Sequence, residues 1–249
     1  MPITRPYART ARPFRDGLFR ANGSGYVHHP DYAKNPSHYI NSFLVLQADY
    51  LEIQQFIEPT TTNNSTFSHR LHAFLLRCCS EFETNCRAIL SENGYSIGHA
   101  NIRDYSKIEH SHRLSDYTIE IPNWHGLDRL RRPFSSWPLP WYRAYNRVKH
   151  DRQANFALAS FGTCTDAFCG VAAILASQFI CSDFRFTTRT GFYSKPHDGF
   201  EDAIGGYLRV KFPETFPERE RYDFDLTKEA WSAKDFIDQF DYSLVSTKF

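Results

Sequence analysis

The chain has 249 residues, of which 41% are hydrophobic, 16% aromatic and 23% charged. That is enough apolar material for a packed core and too much for a disordered chain, so one large domain, or one with appendages, is expected. A formal net charge of +1 implies no global attraction to nucleic acid or to an acidic membrane surface, so any such binding has to come from a local patch.

No apolar run reaches the roughly 18 residues of a membrane-spanning helix. The nearest, Phe168 to Ile180, is interrupted by Ser177 and Gln178, and a soluble protein is expected. Near the start of the chain, Arg5, Arg9, Arg12, Arg15 and Arg20 face only Asp16, with no apolar stretch behind them. This reads as a basic, partly disordered arm over 1–35 rather than a secretory signal. Six cysteines, none in a CxxC pair, have the spacing of reduced core thiols and point to the cytoplasm.

Residues 36–58 read as a helix, because Tyr39, Phe43, Leu46, Tyr50, Ile53 and Ile57 alternate spacings of four and three between Pro36 and Pro59. The polar loop TTTNNST follows. A second helix is expected over about 66–92, with Ser65 as N-cap, Gly94 just past its end, and the stripe Leu71, Leu75, Cys78, Phe82, Cys86, Ile89. Residues 95–138 form an insertion of different texture. It has a short helix around Ile102, Tyr105 and Ile108, a half-buried strand at Tyr117, Ile119 and Ile121, and then a stretch broken by prolines.

Helical periodicity resumes near 140–150 and again near 152–180. The latter is apolar on nearly every face (Phe156, Leu158, Phe161, Phe168, Val171, Ile174, Leu175). Residues 181–249 form a C-terminal segment in which Tyr207–Phe212 and Tyr222–Leu226 alternate as strands would. From Asp198 to Phe249 twelve acids face seven Lys or Arg, a net of −5. The fold class is therefore mainly α, four long helices with an irregular insertion and a small β-containing tail.

The chemistry concentrates in Trp141-Tyr-Arg-Ala-Tyr-Asn-Arg-Val-Lys-His-Asp-Arg152. On a helix, Arg143, Asn146, Arg147 and His150 share one face, and Trp141, Ala144, Tyr145 and Val148 another. From Arg129 to Arg152, seven Lys or Arg (129, 131, 132, 143, 147, 149, 152) face only Asp151, a net of +6 in 24 residues. A histidine flanked by cations suits general acid or base work, the arginines suit a phosphate, and Asn146 suits orienting either. The plainer alternative is a solvated helix face with His150 near a helix end. Glu81 and Glu83 are candidates to reach this helix as structural partners. His28-His29 and His110-x-His112 lack carboxylate or cysteine partners at ligand spacing, so neither a metal nor a cofactor is expected.

The connection Phe56-Ile-Glu-Pro59, the polar loop with Asn63 and Asn64, the run Ser80-Glu-Phe-Glu83 and the Trp141–His150 segment together resemble bacterial HEPN-type (higher eukaryotes and prokaryotes nucleotide-binding) helical proteins, over about 36–93 and 139–180. The resemblance implies a four-helix up-and-down bundle, dimers whose motif helices face each other, and in active members a metal-independent ribonuclease motif of Arg, four to six residues, then His. Arg143 and His150 enclose six residues, with Ala144 where active members usually carry a polar one. Arg147 is too close to His150 to be the motif arginine.

The expected function is a metal-independent endoribonuclease in bacterial defence or stress response, of the toxin–antitoxin kind, with an antitoxin or regulatory protein partner. His150 would be acid or base, Arg143 the phosphate clamp and Asn146 the orienter, with Arg147, Lys149 and Arg152 holding RNA. The alternative is a non-catalytic dimeric RNA-binding or protein-interaction module. A third reading lets the chain's own acidic tail cover the basic face. A homodimer is expected on a separate ground as well, since something must cover the apolar circumference of 152–180.

Overall fold

The computed structural model describes residues 2–19, 24–182, 184 and 198–249. Its architecture is mainly helical with one small sheet, and no helix is long and apolar enough to cross a membrane among the described residues. In chain order the helices are α1 (Pro36–Ile53), α2 (His69–Glu92), α3 (Ile102–Ser106), α4 (Glu109–His112), α5 (Pro140–His150), α6 (Arg152–Asn155), α7 (Phe161–Phe179) and α8 (Lys228–Trp231).

Helix ends follow local chemistry. α1 stops at Ile53, short of the expected 58, and the chain leaves through tighter turns in which Gln55 N and Phe56 N donate back three residues to Glu52 O and Ile53 O. α2 begins at His69, not 66. Thr66 and Phe67 are occupied instead, Thr66 O accepting from Phe161 N at 2.7 Å and Phe67 bridging Ser160. The N-cap is therefore Ser68, whose Oγ accepts from Leu71 N at 3.1 Å, rather than Ser65. Ser68→Ala should cost about 1 kcal/mol in urea unfolding and Ser65→Ala only a few tenths; equal effects would contradict the assignment. At the other end Asn93 is the C-cap and Gly94 follows with φ +77°, where a side chain would be strained.

The expected continuous helix over 152–180 is broken. Asp151 closes α5 and caps α6 by accepting from Ala154 N at 3.1 Å, a 3-10 turn spans Phe156–Leu158, and Ser160 caps α7. Two local caps outweigh a continuous apolar pattern.

Four helices pack on one another. Asp49 pairs with Arg77 and Glu52 with Arg70, so α1 runs against α2. Tyr142 meets Glu83 while Phe156, beyond the end of α5, meets His69, so α5 also runs against α2. Cys164 Sγ donates to Leu71 O at 3.2 Å and Gln178 to Asn85 Oδ1 at 2.9 Å, so α7 runs with α2. The centre is aromatic: Phe168 stacks on Tyr50 at 4.7 Å and on Phe43 at 5.3 Å. Trp141 seats α5 on α7 at Gly170, where a Cβ would stand 3.0 Å from the indole. Five cysteines are buried free thiols and Cys181 is exposed.

The sheet joins the insertion to the tail. β1 (Thr118–Glu120), β2 (Leu130–Arg131), β3 (Glu201–Asp202) and β4 (Arg209–Lys211) lie in the order β2-β1-β4-β3, all antiparallel, with Ile119 opposite both Arg131 and Val210. β1 confirms the strand expected in the insertion, and β4 falls within Tyr207–Phe212. Tyr222–Leu226 is not a strand: Tyr222 makes single bridges to Ile3 and Phe14. Its aromatic alternation reflects packing on the first residues of the chain.

Those first residues are not a loose arm. Residues 2–19 run through backbone bonds to Arg221, Asp223, Asp238 and Ser177. Arg9 is fully buried, pairing with Glu92 at 2.8 Å and donating to Gln178 Oε1 at 2.9 Å and Lys34 O at 2.7 Å. Arg12 donates to the carbonyls of Glu220 and Ser111. Arg20 lies outside the described residues.

This packing also removes the need for a second subunit over α7. Every α7 side chain except Thr163 and Asp166 is buried within one chain, under α1, α2, α5, β1 and the N-terminal segment, where Ala11 N donates to Ser177 O and Tyr32 Oη to Gln178 O.

Candidate functional site

α5 has the two faces read from its spacing. Trp141, Tyr142, Tyr145 and Val148 are buried and Ala144 half-buried, while Arg143, Arg147, Lys149 and His150 are exposed and Asn146 half-exposed. Pro140 starts the helix and Leu139 supplies no side-chain cap. The helix is held instead by its apolar face, with Trp141 Nε1 donating to Pro133 O at 2.8 Å and Trp141 edge-on to Phe82 at 5.0 Å.

The outer face has little to bind within the chain. Among the described residues the side chains of Arg143, Asn146, Arg147 and His150 make no hydrogen bond or ion pair. Arg143 and Arg147 lie four apart on one stripe, a like-charge pair that disfavours the isolated helix by about 0.2–0.5 kcal/mol. Lys149 donates to Tyr145 Oη at 3.2 Å and lies over its ring; that bond raises its pKa, with Glu83 adding, so it stays charged. Glu83 does reach α5, but as an acceptor from Tyr142 Oη at 2.6 Å. Burial and the Glu83 carboxylate push the Tyr142 phenol up.

Three of the seven cations between 129 and 152 leave this surface. Arg131 is buried between Asp128 at 2.9 Å and Asp166 at 3.2 Å, with its guanidinium 4.5 Å from the Trp124 ring centre. Arg129 lies 3.7 Å from Glu120, and Arg132 donates to Ser115 O. Asp128 also accepts from Thr61, from Asn64 at 2.8 Å and from Trp124 at 2.7 Å. Burial would raise the Asp128 carboxyl, but these donors and Arg131 outweigh it and hold it at about 2, whereas burial keeps Asp166 above the usual range. This network ties the polar loop at Asn64 to the start of α7, where Gly162 N donates to Asn64 O. Its role is structural.

The acidic tail does not cover α5. Six of its twelve acidic side chains pair elsewhere, Asp235 with Arg5, Asp223 and Asp225 with Arg15, Asp198 with Arg209, Glu214 with Lys211 and Glu220 with Arg113, and no ion pair or hydrogen bond to α5 is seen from the tail among the described residues. The end of the tail instead receives Lys107 Nζ at Tyr242 O and Val245 O. The histidines singled out in sequence are dispersed. His28 meets Ser182, His29 meets Trp231 O, His110 meets Ser246 O and His112 meets Arg9 O.

Sequence spacing missed a group of rings beside the end of this surface. Phe156 is ringed by His69 at 4.7 Å, Phe67 at 5.7 Å and His72 at 5.9 Å. Burial lowers the His72 pKa, and the charges of Arg152 and His69 lower it further; Arg152 opens α6, four residues before Phe156. Residues 67–72 and 152–156 are too far apart in the chain for any periodicity to associate them.

No protein-family model, curated protein or solved structure matches this chain.

Proposed function

We propose that the outer face of α5 binds the phosphates of RNA, in a HEPN-like helical module of the cytoplasm. The observation that supports this is the row Arg143, Asn146, Arg147, His150, without partners among the described residues and continued by Lys149 and Arg152. Cations that lack internal counter-ions are free to neutralise phosphates, and release of the counter-ions condensed on the RNA then drives binding. Asn146 adds an amide for a phosphate oxygen. The alternating directions of α1, α2, α5 and α7 support the up-and-down bundle of the resemblance, in which two copies would meet through their α5 faces.

Binding without cleavage is favoured over catalysis by one chain. A general base needs a third group to fix its tautomer and orientation, and the exposed His150 ring has no such group among the described residues. Along one helix Arg143 and His150 are separated by about 10.5 Å of rise, so sharing one phosphate requires the Arg143 side chain to lean towards the helix C-terminus, against the usual N-terminal tilt. The second reading is metal-independent cleavage at a composite dimer site, with an antitoxin or regulatory partner. It is favoured by the position of His150 between Arg147 and Arg152.

Labelled single-stranded RNA mixed with the protein in EDTA separates these readings. We expect wild type to bind at about 50 mM salt and leave the RNA intact, and Arg143→Gln with Arg147→Gln to lose about tenfold in affinity. Unchanged affinity in that double variant would contradict the binding surface. Fragments made by wild type but not by His150→Ala would replace this reading with the second.

A further inference from the structure

We infer that the RNA is single-stranded and that the ring cluster of Phe67, His69 and Phe156 receives one of its unstacked bases. This rests on the phosphate-binding reading of α5 and names the ligand form that reading leaves open.

The placement comes from the helix directions. α5 runs against α2, so a strand following Arg143, Arg147 and His150 arrives, past Arg152, at the start of α2. There the chain presents rings instead of charges. Phe67 is 50% exposed and His69 is exposed, both against Phe156. Phe67 is held in place, because it bridges Ser160 and the preceding carbonyl, Thr66 O, accepts from Phe161 N. A ring fixed in advance loses little freedom when a base lands on it.

Charge decides between this site and other exposed apolar side chains. Leu127 is fully exposed but offers no ring, and Phe56, 76% exposed, lies two residues from Glu58, whose carboxylate repels a nucleic acid. At Phe67 the nearby charges are Arg152, felt by His72, and the Arg70–Glu52 pair. Asp151 keeps its negative charge while capping α6, and it stands between Lys149 and Arg152 in the chain, which outnumber it. A positive track ending on aromatic rings is the arrangement that holds single strands, since every unpaired base offers a π-face. A duplex hides its bases and offers only phosphates, sugars and groove edges.

The test compares wild type, Phe67→Ala, Phe67→Tyr and Arg147→Gln on a single-stranded RNA of about twelve nucleotides and on the duplex of the same sequence. We expect wild type to prefer the single strand at least tenfold. Phe67→Ala should weaken single-strand binding about 5- to 150-fold and leave duplex binding and the salt dependence unchanged, and Phe67→Tyr should retain wild-type affinity. In the unmutated protein, a 2-aminopurine base in the strand should lose fluorescence on binding, a readout that does not depend on a variant folding. Equal affinity for strand and duplex, an unquenched probe, or Phe67→Ala binding like wild type while Arg147→Gln binds weakly would each overturn the ring site and leave the phosphate surface standing. If no RNA binds wild type, the α5 reading fails and the ring site with it.

Discussion

Arg9→Met will lower the free energy of unfolding by about 3–5 kcal/mol, the cost of breaking a buried ion pair from one side. Methionine keeps most of the volume and none of the donors. Glu92 then loses its cation, while Gln178 Oε1 and Lys34 O lose the hydrogens they accept. The guanidinium also stands 4.3 Å from the Tyr39 ring centre, an attraction that methionine does not replace. Arg5→Met is the internal control. Its partner Asp235 is mostly solvent-exposed, so the loss should stay within about 0.5 kcal/mol. Urea unfolding of both variants decides the matter. Equal, small losses would mean that residues 2–19 are a loose arm after all.

The second large effect is on acid. His112 is fully buried, its Nε2 donating to Arg9 O at 2.9 Å and its Nδ1 lying 2.7 Å from Ser111 Oγ. Burial drives its pKa down to about 3; the Arg9 carbonyl opposes this and the Arg12 charge adds to it. Below the ordinary histidine value of about 6.5 the unfolded chain takes up a proton that the native chain refuses. Stability therefore falls as pH drops from about 6.5 towards 3, by about 1.4 kcal/mol per pH unit from this group. Between pH 6.5 and 4.5 that amounts to roughly 2 kcal/mol, because the slope is only half developed at pH 6.5. His112→Gln keeps an N–H for Arg9 O and cannot titrate, so its stability curve should be flatter over that interval by the same slope. Parallel curves for wild type and variant would contradict a neutral buried imidazole.

What the sequence made legible depended on how local the cause was. α5 was readable to the residue, because Pro140 opens it, His150 ends its stripe, and both faces are decided by side chains within the helix. α2 was readable along its stripe but misplaced at its start, where Thr66 and Phe67 are claimed by Ser160 and Phe161, about ninety residues on. Spacing among Arg5, Arg9 and Arg12 looks like a solvated arm, since their partners Glu92, Gln178, Ser111 and Glu220 lie far along the chain.

The same limit applies to α7. Its apolar circumference shows that it must be covered, but a second copy and the chain's own first residues, sheet and neighbouring helices satisfy that pattern equally. The pairing of β1 with β4 crosses the whole bundle sequence, so insertion and tail looked independent. In the basic segment, net charge was right and its distribution was not. Arg131 is diverted by Asp128 and Asp166, which no count of cations reveals.

The salt dependence of single-stranded RNA affinity tests the central claim most directly. With Arg143, Arg147, Lys149 and Arg152 each on a phosphate, the slope of log affinity against log salt should be about −2 to −3, and Arg143→Gln, Arg147→Gln and Arg152→Gln should each reduce its magnitude by about 0.7. A wild-type slope near zero, or a slope unmoved by those three substitutions, would show that the α5 face does not hold RNA.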